Sequence, residues 1–172
     1  MKIVILGDTH MPRMAKALPP KLIAELETAD RIIHTGDWQT MEVYNELKSF
    51  APVDGVYGNA DSKDIREQFG NENRFNFDGT AVSLVHGDGK GKTTPLRALE
   101  TFRDEQPDII LFGHSHIPYH EEHDGIVLFN PGSPTDKRRQ PQFSFGILET
   151  KDGSYTLGHI FYSSKTENGP SS

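Results

Sequence analysis

The chain has 172 residues, a formal net charge of −7 and no cysteine. That length suits one domain around a single core, and the acidic balance argues against a dedicated nucleic-acid binder, which would carry a marked basic excess. Without cysteine there is no disulfide, thiolate zinc site or cysteine nucleophile, so any metal must be held by nitrogen and oxygen ligands.

The opening run Ile3-Val4-Ile5-Leu6 reads as a buried strand that ends in the turn Gly7-Asp8-Thr9-His10. It is too short for the apolar part of a signal peptide, and no later run reaches membrane-spanning length, so a cytoplasmic protein with no membrane partner is expected. If the backbone stays extended past this strand, Asp8 and His10 leave on the same side, and a carboxylate and an imidazole converge on one point. Pro19 and Pro20 suit a helix start, and apolar residues then recur at helical spacing over 21–26. Arg31–His34 is a short strand, and 41–50 is a second helix with Val43, Tyr44, Leu47 and Phe50 on its inner face. Pro52 ends that helix before a third strand over 53–57, which makes the first third of the chain a βαβαβ unit with a parallel sheet.

From Arg74 onward the pattern changes. Phe75, Phe77 and then 81–85 suggest two strands joined across Asp78-Gly79, a strong hairpin pair, and a second sheet begins there. Residues 95–105 carry Leu96, Leu99 and Phe102 at helical spacing, and Pro107 precedes a strand over 109–112. The last third reads as an all-β ladder of hairpins: Tyr119–His123 with 126–129 across Asp124-Gly125, then 143–150 with 154–161 across Asp152-Gly153. A single domain over 1–162 is expected, followed by a disordered tail over 163–172 that holds no apolar residue.

Polar donors follow the apolar runs repeatedly: Asp8 and His10, Gly36-Asp37, Gly58-Asn59, His86, and His114-Ser115-His116. Ligands of an α/β sheet bind beyond the carboxyl ends of its strands, so residues far apart in sequence can meet there. Singly, Asp37 or Asn59 is an ordinary turn residue, and His114 and His116 could be surface histidines. Together, Asp8, His10, Asp37, Asn59, His86, His114 and His116 offer donors for two divalent ions. The mixture of carboxylate, amide and imidazole suits Mn²⁺, Fe or Zn²⁺ better than Ca²⁺; Mn²⁺ is the first choice, with Fe, Zn²⁺ or Ni²⁺ as alternatives. Two ions about 4 Å apart can generate a bridging hydroxide and clamp both the attacking and the leaving oxygen of a phosphoryl centre.

The order Asp8-x-His10, Gly36-Asp37, Gly58-Asn59-x-Asp61, His86-Gly87 and Gly113-His114-x-His116 resembles the calcineurin-like metallophosphoesterases over residues 1 to about 135. With Asn130-Pro131-Gly132-Ser133 it looks most like their small bacterial and archaeal phosphodiesterase branch. The resemblance implies an α/β fold, a two-sheet β-sandwich flanked by helices. It also implies that Asp8, His10 and His116 hold one metal, that Asn59, His86 and His114 hold the other, and that Asp37 bridges them. Most phosphomonoesterases of the superfamily have a histidine after the asparagine as proton donor to the leaving group, and this chain has Ala60. A phosphodiesterase without a histidine general acid is therefore expected, acting on a small phosphodiester. Asp61 is a partner behind the ligands and the remaining catalytic candidate. Asp88 stands where another histidine often follows His86-Gly87.

Residues 86–93 resemble a phosphate-cradling P-loop, but His86 stands where that pattern needs glycine. Lys90 and Lys92 of this loop, together with Asn59, are the expected substrate-binding residues, and Lys137, Arg138 and Arg139 are further cations for an anionic substrate. His34, His120, His123 and His159 match no motif and read as strand or surface histidines. The alternative function is a scaffold acting through protein partners, because vacuolar protein sorting protein 29 shares the fold and the Leu-Pro seen at Leu18-Pro19. Its metal site is degenerate at the positions matching Asp37 and Asn59, which are intact here. A homo-oligomer is left open.

Overall fold

The computed structural model describes residues 1–168. Strands β1 (Lys2–Leu6), β2 (Arg31–His34) and β3 (Val53–Gly55) run parallel, with Val4 opposite Ile32 and Ile33 opposite Asp54. Helix α1 (Pro20–Leu26) opens on a proline, whose fixed φ and missing N–H cost nothing in a first turn. Helix α2 (Met41–Leu47) buries Val43 and Leu47, one turn apart. It stops before the expected 50, and Phe50 packs on the core from the loop beyond; β3 likewise ends at Gly55 and not at 57. A short helix α3 (Lys63–Gln68) was not anticipated, because Ile65 alone of its residues is buried and one apolar residue sets no period.

The second sheet begins with the expected hairpin, β4 (Glu72–Phe77) and β5 (Thr80–Val85), closed across Asp78-Gly79. Helix α4 (Thr94–Phe102) follows, with the Thr93 side chain accepting the Leu96 N–H at 3.4 Å, and residues 103–105 tighten into a 3-10 turn. Its buried stripe is Ala98, Leu99 and Phe102. Leu96, expected on the inner face, is 39% exposed because at helical periodicity it points away from the stripe that Thr94 begins. Strand β6 (Ile109–Leu111) lies parallel to β5, and β8 (Ile126–Asn130) parallel to β6 with β7 (Tyr119–His123) on the outside, in the order β4-β5-β6-β8-β7.

The last hairpin corrects the expected single ladder. Strands β9 (Phe143–Lys151) and β10 (Ser154–Tyr162) return to the first sheet, where β9 lies antiparallel to β1 with Val4 opposite Ile147, and the order is β10-β9-β1-β2-β3. The reason is burial on two faces. Phe145 packs into the core under α1 and α2 while Leu148 packs between the sheets, and a strand covered on both sides belongs inside a sheet.

Ile3, Ile5 and Ile33 of the first sheet meet Leu84, Leu111 and Phe129 of the second in a buried layer. Val4 and Ile32 face Leu22, Leu26, Val43 and Leu47 of α1 and α2, and Ile110 and Leu128 face Ala98, Leu99 and Phe102 of α4. The architecture is the helix–sheet–sheet–helix sandwich, with the carboxyl ends of the parallel strands gathered at one edge. Within the expected tail, Lys165 Nζ donates to Met14 O at 2.6 Å and Glu167 stands 3.5 Å from Lys21 Nζ; residues 169–172 lie outside the described residues. Among the described residues no helix is long and apolar enough to cross a membrane.

Phe129 is fully buried between the sheets and stacks on His159 with ring centroids 4.3 Å apart. Phe129→Ala should cost about 3–5 kcal/mol in a denaturant melt; a loss below about 1 kcal/mol would contradict the packing described.

Candidate metal centre

Beyond β1 the chain does not stay extended. Asp8 and His10 have φ of 52° and 45°, Asp37 has 59°, and His114 and His116 have 71° and 62°, all left-handed. Side chains rarely adopt this region, and residues held there cluster at functional sites. The turn after each strand, and not a straight continuation of it, aims the ligands inward. Asp8 N donates to Gly36 O within the first sheet and Gly113 N to His86 O within the second, each at 2.9 Å, so neighbouring loops of each sheet are tied together. The approach is close: a Cβ on Gly58 would stand 2.2 Å from Asp37 Oδ1, and one on Gly113 2.9 Å from Asp8 Oδ2. Only glycine fits at either place.

The side chains form two groups. Asp8, His10 and His116 offer ligand atoms within 4.8 Å of one another, and so do Asp37, His86 and His114. Asp37 Oδ2 lies between the groups, 3.1 Å from His86 Nε2 and 3.7 Å from His10 Nε2. Asn59 Oδ1 stands 3.1 Å from His86 Nε2 and 3.2 Å from His114 Nδ1. Thus every residue expected as a ligand sits at this edge.

The donor set fits metal ions on its own terms. His86 donates its Nδ1–H to Thr35 O at 2.7 Å and His116 to Asp136 O at 2.6 Å, which turns each Nε2 inward toward the cluster. Both oxygens of Asp8, His10 Nε2 and His116 Nε2 are buried without a hydrogen-bond partner. Buried polar atoms are normally satisfied, and four in one cluster call for cations. Charge says the same. Burial, with the Asp37 charge adding to it, pushes the Asp8 carboxyl up to about 7 against the opposing charges of His86 and Arg138. Asp37 is also penalised by burial, yet the bond and charge of His86 and the Ala60 amide hold it below the usual carboxylate range. Burial opposes charging of His86 too, but its bond to Asp37 and the Asp8 and Asp37 charges raise it to about 9. His116 is pushed down to about 4 by burial.

A layer behind the ligands fixes these loops. Asp61, the catalytic candidate, has both oxygens occupied: Oδ2 accepts the N–H groups of Asp37 at 2.9 Å and Gly58 at 2.7 Å, and Oδ1 accepts that of Gln39 at 2.8 Å. That is a positioning contact. From α3, Arg66 answers with donors to Asp61 O at 3.2 Å, Gly58 O at 3.4 Å and Asn59 O at 3.2 Å, and its guanidinium lies over the Tyr57 ring. Sequence reasoning missed Arg66 because it missed its helix. Ser133 and Thr135 donate to Asp8 O and Thr9 O at 2.8 and 2.7 Å. His34 is fully buried against Trp38 and accepts the Gly36 N–H on Nδ1 at 3.1 Å, leaving its own proton on Nε2, 3.1 Å from Thr9 Oγ1. It is kept neutral by burial.

The expected cations are less engaged. Lys90 is exposed in its loop, and Lys92 is paired with Glu100. Lys137 lies over the Phe143 ring, whereas the exposed Arg138 acts electrostatically on Asp8, His10 and His116. Asp88 and Ala60 are exposed at the mouth.

A family description of the calcineurin-like phosphoesterase superfamily domain matches residues 1–153. A probable metallophosphoesterase of Methanothermobacter thermautotrophicus is 33% identical over 140 residues, covering 80% of each chain. A phosphodiesterase of Methanocaldococcus jannaschii is 30% identical over 172 residues, covering 90% of this chain and 96% of that one. Among solved structures, Vps29 of Entamoeba histolytica has a TM-score of 0.75 at 24% identity, covering 94% of this chain and 99% of that one, a likeness of fold.

Asp61→Asn puts an amide NH₂ against the backbone N–H groups that the carboxylate now accepts. Metal affinity by calorimetric titration should fall roughly 10–100-fold, and the melting temperature should fall by several degrees as buried N–H groups lose their acceptor; unaltered affinity would remove Asp61 from the positioning layer.

Proposed function

Because the chain belongs to the calcineurin-like phosphoesterase superfamily, we propose that it is a phosphodiesterase whose Asp37 joins two divalent ions. One observation carries this reading: Asp37 Oδ2 stands between two groups of ligand atoms whose members on the Asp8 side are buried and unpartnered. Asp8, His10 and His116 hold one ion and Asn59, His86 and His114 the other. Mn²⁺ is the preferred ion, with Fe, Zn²⁺ or Ni²⁺ as alternatives. When bound, the pair supplies an activated water and neutralises charge on the phosphoryl oxygens. Asn59, exposed at the mouth, directs Oδ1 at the ligand group and leaves its amide N–H to orient a phosphoryl oxygen. Lys90 and Arg138 draw the anion to an otherwise acidic protein.

The residues fit a diester better than a monoester. Ala60 places a methyl group at the mouth and gives its backbone N–H to Asp37 Oδ1 at 2.9 Å. Asp61 is spent on backbone amides. Among the described residues no histidine follows Asn59 to hand a proton to the departing oxygen, so substrates whose leaving group is already stable as an anion are favoured. The working location is the cytoplasm. The second reading, a metal-binding scaffold acting through protein partners, is supported by likeness of fold to Vps29; turnover of a phosphodiester separates the two.

Aryl phosphodiesters with graded leaving groups should show a steep dependence of rate on leaving-group pKa, and phosphomonoesters poor turnover. Ala60→His should flatten the dependence, since a positioned acid is worth roughly 10²–10⁴ in rate. Efficient monoester turnover with a shallow dependence would overturn this reading.

Removal of metal by a chelator should abolish turnover and Mn²⁺ restore it. Asp37→Asn should lower kcat/KM by more than His114→Ala or His116→Ala, and those two should each lose a different ion by elemental analysis. Loss of the same ion in both would contradict the two-group assignment.

A further inference from the structure

A cavity of about 420 Å³ lies between the start of α4 and the loop that carries His114 and His116. Thr93 and Thr94, which end the loop from His86, form one wall; Phe112, Ser115, Ile117 and Tyr119 form the other. Both segments therefore carry metal-site residues. They meet at Gly87, where a Cβ would stand 2.9 Å from Thr94 Cγ2 and 3.7 Å from Phe112 Cβ. We propose that this cavity receives the non-leaving ester arm of the substrate and selects an arm bearing a flat ring, an inference that rests on the phosphodiesterase reading.

Size and surface both point that way. The volume falls within the range of small-molecule sites, roughly 300–1,000 Å³. The half-buried Tyr119 ring is backed edge-to-face by the buried Phe112 ring, at 63° with centroids 5.9 Å apart, and offers a firm flat wall to another ring. Ile117 is 48% exposed, a large apolar side chain left open at the rim. The cations around the cavity are already satisfied. Arg97 donates to Gly87 O, Gly91 O, Lys92 O and Thr94 Oγ1, at 2.9, 2.7, 2.7 and 3.1 Å, and Lys92 is paired with Glu100. The Tyr119 hydroxyl is likewise held by Glu121 and His123, each at 2.9 Å, so its ring is what it offers. Ser115 Oγ accepts from Asn130 and Ile117 and keeps its own proton for a polar substituent on the ring.

The test compares two p-nitrophenyl diesters with the same leaving group, one with a methyl and one with a phenyl second arm. Wild type should favour the phenyl diester about tenfold or more in kcat/KM, the scale of one ring's apolar burial. Ile117→Asp should bring that ratio close to one, and the ratio is insensitive to any loss of folded enzyme. In parallel, methylphenylphosphinate, whose two P–C bonds leave no ester to hydrolyse, should shift the backbone amides of Thr93, Thr94, Ser115 and Ile117 in an NMR titration, while dimethylphosphinate should not. Turnover of both diesters at equal efficiency overturns the cavity assignment and leaves the phosphodiesterase reading standing. Absence of turnover with those amides still shifted supports the cavity as a ring-binding site and overturns the reading of the reaction. Absence of both overturns both.

Discussion

The metal centre depends on holding its ligands in backbone conformations that aspartate and histidine do not favour. Asp8, His10, Asp37, His114 and His116 all sit at positive φ, and each such residue costs of order 1–3 kcal/mol unless its surroundings impose it. The imposition is visible. Asp61 gathers amides from two loops, Arg66 gathers carbonyls of the Asn59 loop, and Ser133 and Thr135 take the carbonyls of Asp8 and Thr9. These contacts join groups from β1, β2, β3 and the loop after β8, so neither sheet alone could maintain the site.

Packing and electrostatics then reinforce each other. The same burial that satisfies the core strips water from Asp8, His86 and His116, and their charge states become mutually dependent. Nδ1 contacts to Thr35 O and Asp136 O fix the two imidazoles before any ion arrives. A preset donor cluster of this kind spends little on reorganisation when it binds.

Much of this was legible in the chain. Polar donors placed directly after apolar runs mark strand ends, and sheet topology brings such ends together whatever their separation, which is why the ligand set could be named without coordinates. Asp-Gly pairs located every hairpin. What failed has physical causes. Asp8 and His10 were expected on an extended path, and nothing in their side chains announces a left-handed turn. The polar helix around Ile65 carries no period, so Arg66 was invisible. The sheet to which a hairpin belongs is decided by which faces need cover, and the return of β9 to β1 could not be read from the turn at Asp152-Gly153. Leu96 stands one turn from Leu99 yet points to the side of the stripe, which is centred on Ala98 and Phe102.

The position of β9 also sets an order of assembly. β1 is an interior strand whose neighbours are β2 and β9, and residues 143–151 are the ones that complete it. A chain that emerges from the ribosome amino end first can pair β1, β2 and β3 early, through local parallel units. The flank facing β9 stays unpaired until most of the polypeptide is out, and long-range closures of this sort slow folding. Asp8 and His10 hang from the strand that waits, and their carbonyl partners Ser133 and Thr135 come just before the missing neighbour. Maturation of the metal centre is thereby tied to the pairing of β1 with a strand that lies more than a hundred residues further along the chain.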